Sequence, residues 1–99
     1  MGKVIWSPVA LADLEAIANY IARDSPARAA VVVDRILESA ERLARFPQSG
    51  RVIPEIADPA SRELPVGPYR VMYRLEADAV IIVCIVHGAR RWPEANPSS

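Results

Sequence analysis

The sequence predicts an α+β domain in which a helical hairpin covers one face of a small antiparallel sheet, in the order β-α-α-β-β-β. Three observations carry this. The stretch from Ala79 to Val86 is almost unbroken apolar sequence, as expected of a strand buried on both faces. Two Ser-Pro pairs, Ser7-Pro8 and Ser25-Pro26, each open a stretch whose apolar residues recur at helical spacing. Between the second helical stretch and the apolar run lie two short strand patterns separated by tight-turn residues.

In chain order, Val4-Ile5-Trp6 is the first strand. Ser7 is placed as N-cap and Pro8 at the first helical position. The first helix, from Val9 to Arg23, carries the stripe Leu11, Leu14, Ile17, Ala18 and Ile21, with Tyr20 at its edge. Asp13 and Glu15 are expected to complement the positive end of its dipole. After Asp24-Ser25-Pro26 the second helix carries Ala29, Val33, Ile36, Leu37, Ala40, Leu43 and Ala44. Glu38 with Arg42 and Glu41 with Arg45 are solvated pairs four apart. Phe46-Pro47 ends this helix, because proline disfavours helical conformation in the residue before it. The helices form a hairpin with an apolar inner side, and Val31 is expected to point away from it.

Gln48 to Arg51 reads as a turn and Arg51 to Pro59 as an irregular connector. Ser61 to Val66 is a strand, and Gly67-Pro68 turns the chain. Tyr69 to Leu75 alternates Tyr69, Val71, Tyr73 and Leu75 against Arg70, Met72 and Arg74, as a half-buried strand does. Glu76-Ala77-Asp78 is a hairpin turn into the final strand. Residues 1–95 are expected to form one domain, with 96–99 as a loose tail.

Composition bounds the function. The 99 residues carry 12 Lys and Arg against 12 Asp and Glu, a net charge of zero. That balance argues against broad electrostatic binding of nucleic acid. The one cysteine, Cys84, sits inside the apolar run and reads as packing rather than a reactive thiol. The sequence offers neither zinc-ligand spacing nor a phosphate-binding glycine loop, so no metal and no cofactor are expected. No stretch reads as a signal peptide or membrane span, and a cytoplasmic location is expected.

The chemistry-bearing residues are cations and one tryptophan. Arg51, Arg62, Arg70 and Arg74 come from the connector and middle strands, and His87, Arg90, Arg91 and Trp92 from the end of the last strand. If they share one concave face, they can bind a target or hold an RNA backbone, with His87 or Glu55 moving protons. The simplest account has the arginines pairing with Glu63, Glu76 and Asp78 across strands.

The segments Trp6-Ser7-Pro8, Ala12-Asp13-Leu14, Ile17 to Ile21, Phe46 to Arg51, Arg62-Glu63-Leu64, Tyr69 to Arg74 and Val86 to Arg90 together resemble the RelE/ParE toxin superfamily. Arg-Glu-Leu and His-Gly-Ala-Arg resemble its ParE, plasmid-stabilisation branch most. The resemblance implies a toxin of a type II toxin–antitoxin pair that inhibits DNA gyrase and is neutralised by a ParD-like antitoxin. The alternative is a RelE-like, ribosome-dependent mRNA endoribonuclease, for which Glu55, Arg62, His87 and Arg90 would be catalytic. The absence of a tyrosine after His87 favours the gyrase branch, in which no catalytic residue is expected. A third possibility is a non-toxic domain that retains only antitoxin binding. The antitoxin is expected to fold on the helical hairpin at Tyr20, Arg23, Val31 and Val32, and on the strand edge.

Overall fold

A computed structural model describes residues 2–88. Arg90, Arg91, Trp92, the expected domain end at residue 95 and the tail at 96–99 lie outside the described residues. The elements are β1 (Lys3–Trp6), α1 (Pro8–Ala22), α2 (Pro26–Arg42), β2 (Arg51–Val52), β3 (Ser61–Val66), β4 (Tyr69–Leu75) and β5 (Ala79–His87). The predicted order holds, with one addition. Arg51 and Val52, expected in an irregular connector, pair with Glu63 and Arg62 as the edge strand β2.

The sheet order is β1-β5-β4-β3-β2. β1 runs parallel to β5, and every other neighbouring pair is antiparallel. β5 is therefore interior, as its two-sided apolar sequence requires, while β4 holds the middle position. β2 covers only the first half of β3. Pro65, which has no amide hydrogen to offer, sits in the part of β3 that β2 leaves uncovered.

Both helix starts are capped as expected. Ser7 Oγ accepts from Ala10 N at 3.0 Å and Ser25 Oγ from Arg28 N at 3.1 Å. Ser7 also extends the sheet. Its amide donates to Ile82 O and its hydroxyl to Val83 O, where β1 ends. One turn further, Asp13 Oδ2 accepts from Ile85 N at 2.9 Å. Side chains of α1 thus take over the β5 edge from β1. This corrects the role expected of Asp13 and Glu15, because α1 has no acidic residue in its first turn.

The core lies between the helices and the sheet. Ala10, Ile36, Ala40, Leu43, Val71, Tyr73, Val80, Ile82 and Ile85 are buried there, with Leu14 and Ile17 packed against them. Leu11 and Leu37, expected in the buried stripes, are exposed. α1 sets small Ala10 against the sheet instead, and a helix advances about 100° per residue, so Leu11 turns outward. α2 ends at Arg42 rather than at Phe46-Pro47. Its last amides shift to partners three residues back, such as Leu43 N to Ala40 O and Ala44 N to Glu41 O, which tightens the final turn.

The second sheet face is covered too. Ile53 of the connector packs on Met72 and Cys84, with Val83 and Val86 beside them. Consequently Val71, Met72 and Tyr73 are all buried, and β4 is more than half-buried. Between Met72 and Tyr73 the partner on β5 steps from Cys84 to Ile82. Val83 is the residue of the bulge that results. Burial, reinforced by the Asp13 carboxylate and opposed by Arg70, pushes the Cys84 thiol up to about 11, so it stays protonated at neutral pH.

One buried hydroxyl pins the loop after α2. Tyr73 Oη donates to Pro47 O at 2.8 Å and accepts from Gly50 N at 2.9 Å. A Cβ at Gly50 would come within 2.6 Å of that oxygen and 2.5 Å of Glu63 O. Burial raises the Tyr73 pKa, against lowering contributions from Gly50 N–H and Arg62. The folded state thus holds this proton more tightly than the unfolded chain. Its contribution is complete below pH 10.0, the ordinary value, and is lost as pH rises beyond it. Tyr73→Phe orphans the Gly50 amide and is expected to cost about 1–3 kcal/mol at pH 7. The same variant should show a smaller loss of stability above pH 10 in urea titrations; an unchanged alkaline limb would contradict this role.

Candidate functional site

The sheet pleat sorts the predicted cations onto two faces. Arg51 lies opposite Glu63 and Glu63 opposite Met72, so all three share the outer face, away from the helices. Arg70 and Arg74 belong to the same face. Arg62, adjacent to Glu63, projects to the helix side with Leu64. His87 pairs with Tyr69 and also belongs to the helix side.

The outer-face arginines are engaged by acids. Glu63 is 1% exposed, and both its oxygens are occupied. Arg51 Nε meets Oε2 at 2.5 Å, while Arg70 donates to Oε1 through Nε at 2.7 Å and also through Nη2. Glu55, from the connector, reaches Arg70 Nη2 at 3.5 Å. Arg74 pairs with Glu76 at 3.3 Å in a solvent-exposed position. The cross-strand pairing expected from the sequence thus forms at Glu63, whereas Arg74 and Glu76 pair locally, two residues apart at the end of β4. A buried carboxylate persists only where cations and hydrogen bonds offset its desolvation, and Arg70 supplies most of that here.

Arg62 holds backbone. Its Nε donates to Pro59 O at 3.0 Å and its Nη1 to Gly50 O at 3.0 Å, tying the two loops that flank β2 and β3. His87 is exposed at the end of β5, where its ring meets Tyr69 edge-on with centroids 5.8 Å apart. Its partner column reaches β3 at Val66, four residues from Arg62. Four residues of strand span about 13 Å. The set Glu55, Arg62 and His87 is therefore not brought together. Glu55 lies beside Arg70 on the outer face, and Arg62 and His87 lie at opposite ends of β3 on the other.

The residues expected to meet an antitoxin are assembled better. Tyr20 and Val32 line one crevice of about 200 Å³ with Ile21, Asp24, Arg28, Pro68 and Tyr69, between the hairpin and the β3–β4 turn. Arg23 places its guanidinium over the Tyr20 ring at 5.7 Å. Tyr20 is 69% exposed and Val31 56%, whereas Val32 is half-buried against the core. Pro68 and Tyr69 were not anticipated here. The Gly67-Pro68 turn was legible, but not the helix surface it would face. Among the described residues, no group of three or more His, Cys, Asp or Glu gathers as a metal site, and no helix is long and apolar enough to cross a membrane.

The two ion-pair environments predict unequal costs. Arg70→Ala leaves the buried Glu63 carboxylate with Arg51, a largely exposed partner, on one oxygen and is expected to destabilise the fold by about 3 kcal/mol. Arg74→Ala should change stability by less than about 1 kcal/mol. Denaturant melts of the two variants compare them directly, and equal effects would refute the distinction.

Residues 4–92 match the model of the ParE toxin of the type II toxin–antitoxin system parDE. Toxin RelE2 of Caulobacter vibrioides is 41% identical over 91 residues, covering 91% of this chain and 99% of that protein. Toxin ParE3 of the same organism is 30% identical over 89 residues, covering 89% and 88%. Putative toxin Y4kP of Sinorhizobium fredii is 36% identical over 94 residues, covering 93% and 94%. A solved chain of the chromosomal ParDE toxin–antitoxin system from P. aeruginosa superposes with a TM-score of 0.73 at 27% identity, covering 88% of this chain and 96% of that one. Family model, relatives and superposed fold agree across nearly the whole sequence: the chain belongs to the ParE toxin family of type II toxin–antitoxin systems.

Proposed function

We propose that this toxin acts by binding rather than by cutting RNA, as a ParE-like inhibitor of DNA gyrase in the cytoplasm, and that a ParD-like antitoxin neutralises it. The observation that carries this reading is the dispersal of Glu55, Arg62 and His87. General acid–base catalysis needs its groups within hydrogen-bond reach of one reacting centre. Here Arg62 is spent on backbone carbonyls about 13 Å of strand from the His87 column. The neutral net charge supports the same reading, because docking on ribosomal RNA favours a basic protein. Cations of the outer face and the His87 strand end, including Arg51, Arg70, Arg74, Arg90 and Arg91, remain the proposed target-binding set together with Trp92.

The likeness to a protein named Toxin RelE2 favours a second reading, a ribosome-dependent mRNA endoribonuclease. The purified chain is expected to block gyrase supercoiling and leave ribosome-bound mRNA intact. His87→Ala should leave growth inhibition within about threefold of wild type, whereas a nuclease using His87 as its acid or base would lose about 10²–10⁴-fold. Cleaved mRNA with normal supercoiling would reverse the assignment.

For the antitoxin, the crevice beside Tyr20 offers the apolar side chains Ile21, Val32 and Pro68 together with one acid, Asp24, and one base, Arg28. An amphipathic helix laid along the hairpin would bury Tyr20 and Val31 and meet Arg23 at the rim. Val32 belongs to the core as well as the crevice, so its substitution confounds docking with folding. The triple variant Tyr20→Asp, Arg23→Asp, Val31→Asp is expected to weaken capture by the antitoxin at least 100-fold with an unchanged melting temperature. Undiminished affinity would remove this face from the interface.

A further inference from the structure

The outer face of the sheet carries a groove outside the Glu63 ion-pair cluster and the antitoxin surface. It has a volume of about 240 Å³ and is walled by Ile53, Ile56, Met72 and Val83. Asp58 and Arg74 stand at its rim, and Ser61 lines it from β3. The wall is held in place by the connector, where Ile56 N and Ala57 N both donate to Ile53 O, at 3.1 and 2.8 Å. Ala57 adopts a φ of 56°, a left-handed conformation that residues with a Cβ rarely take.

Ser61 is the informative residue. It is only 5% exposed, and its hydroxyl has no hydrogen-bond partner among the described residues. Its backbone is fully used, with its amide donating to Asp58 O and its carbonyl accepting from Ile53 N. Buried hydroxyls are ordinarily satisfied, and a serine lining an apolar groove with no protein partner for its hydroxyl can bond a polar group that enters the groove.

The remaining groups narrow the chemistry of that partner. Arg74 is paired with Glu76, and Asp58 Oδ1 accepts from Ala60 N at 3.0 Å. One carboxylate charge, that of Asp58, thus remains at the rim, which disfavours a carboxylate at the inserted tip, while the apolar walls disfavour burying an ammonium and leave an uncharged hydroxyl as the fitting donor. Apolar walls with a methionine among them suit an aromatic ring. A tyrosine combines such a ring with a hydroxyl tip. The groove is also smaller than the roughly 300–1,000 Å³ typical of small-molecule sites, and of a size for a single anchoring side chain.

We infer that this groove is a docking pocket for one tyrosine side chain of a partner polypeptide, with Ser61 Oγ hydrogen-bonded to the phenol. The inference does not depend on whether gyrase or the ribosome is the target.

The test titrates the isotope-labelled chain with N-acetyl-tyrosinamide, N-acetyl-phenylalaninamide and p-cresol, followed by amide NMR shifts. Expected are shifts at Ile53, Met72 and Val83 and about fivefold tighter binding of the tyrosine amide than of the phenylalanine amide, the worth of one hydrogen bond. Ser61→Ala should abolish that preference without lowering the melting temperature, because it removes an unsatisfied hydroxyl. Ile56→Asp in the wall should weaken all three probes. Equal binding of the two amides, shifts elsewhere, or a Ser61→Ala variant that melts earlier and keeps the preference would each overturn the assignment. Binding of p-cresol alone would make the occupant a free phenol, also against the proposal. Self-association abolished by Tyr20→Ala would make it a second copy of this chain and likewise overturn it.

Discussion

A strand that is apolar on both sides is stable only where both sides are covered, and β5 imposes that requirement on the whole domain. The helical hairpin answers it on one face. Ile53 and the connector answer it on the other, through a much smaller cluster with Met72 and Cys84. The edges are subject to the same demand, because a buried backbone amide must find an acceptor. β4 pairs with one edge along its length. The other is shared by β1 up to Ile82 and by Ser7 and Asp13 of the α1 segment beyond it. The parallel β1–β5 pairing follows, since β1 lies beside the strand whose edge its own helix then continues to cover.

Covering the second face brings charge inward with it. Glu63 faces the same side as Ile53 and Met72, and its burial obliges Arg70 and Arg51 to converge on it. The outer face is thus a charge-balanced surface with a structural ion-pair cluster at its centre, and an apolar groove beside it. The helix side is divided differently. Arg62 fastens loops at one end of β3, and His87 and Tyr69 mark the other, next to the crevice that holds Tyr20. Binding surfaces and catalytic constellations make different demands on such a layout. A binding surface tolerates cations that are already paired at its centre, because exposed neighbours and apolar patches contribute contacts. A catalyst needs its proton donors and acceptors at one point, and this sheet separates them.

The two helices, their serine caps and strands β3, β4 and β5 could be read from local signals, because capping, helical periodicity and alternation act within a few residues. The errors have local causes too. Leu11 and Leu37 fit an apolar stripe by spacing, yet the stripe fixes a helix's inner face only to within about one residue's rotation. β2 was missed because two residues carry no pattern, and they become a strand only by pairing with Glu63 and Arg62. Met72 read as outward-facing since alternation says nothing of what covers the other side.

The sequence by itself determined the order of elements, the helix starts, the burial of β5 and the resemblance that places the chain in its family. All of these rest on residues near one another in the chain or on an ordered series of short motifs. Only the tertiary structure decided which cations share a face, that Glu63 takes both Arg51 and Arg70, that Arg62 is a backbone clamp and that Ser61 opens into a groove. Each of those depends on strand register, and the placing of His87 depends also on the bulge at Val83. Register is set by contacts between distant segments, and a shift of one residue would send every side chain to the opposite face.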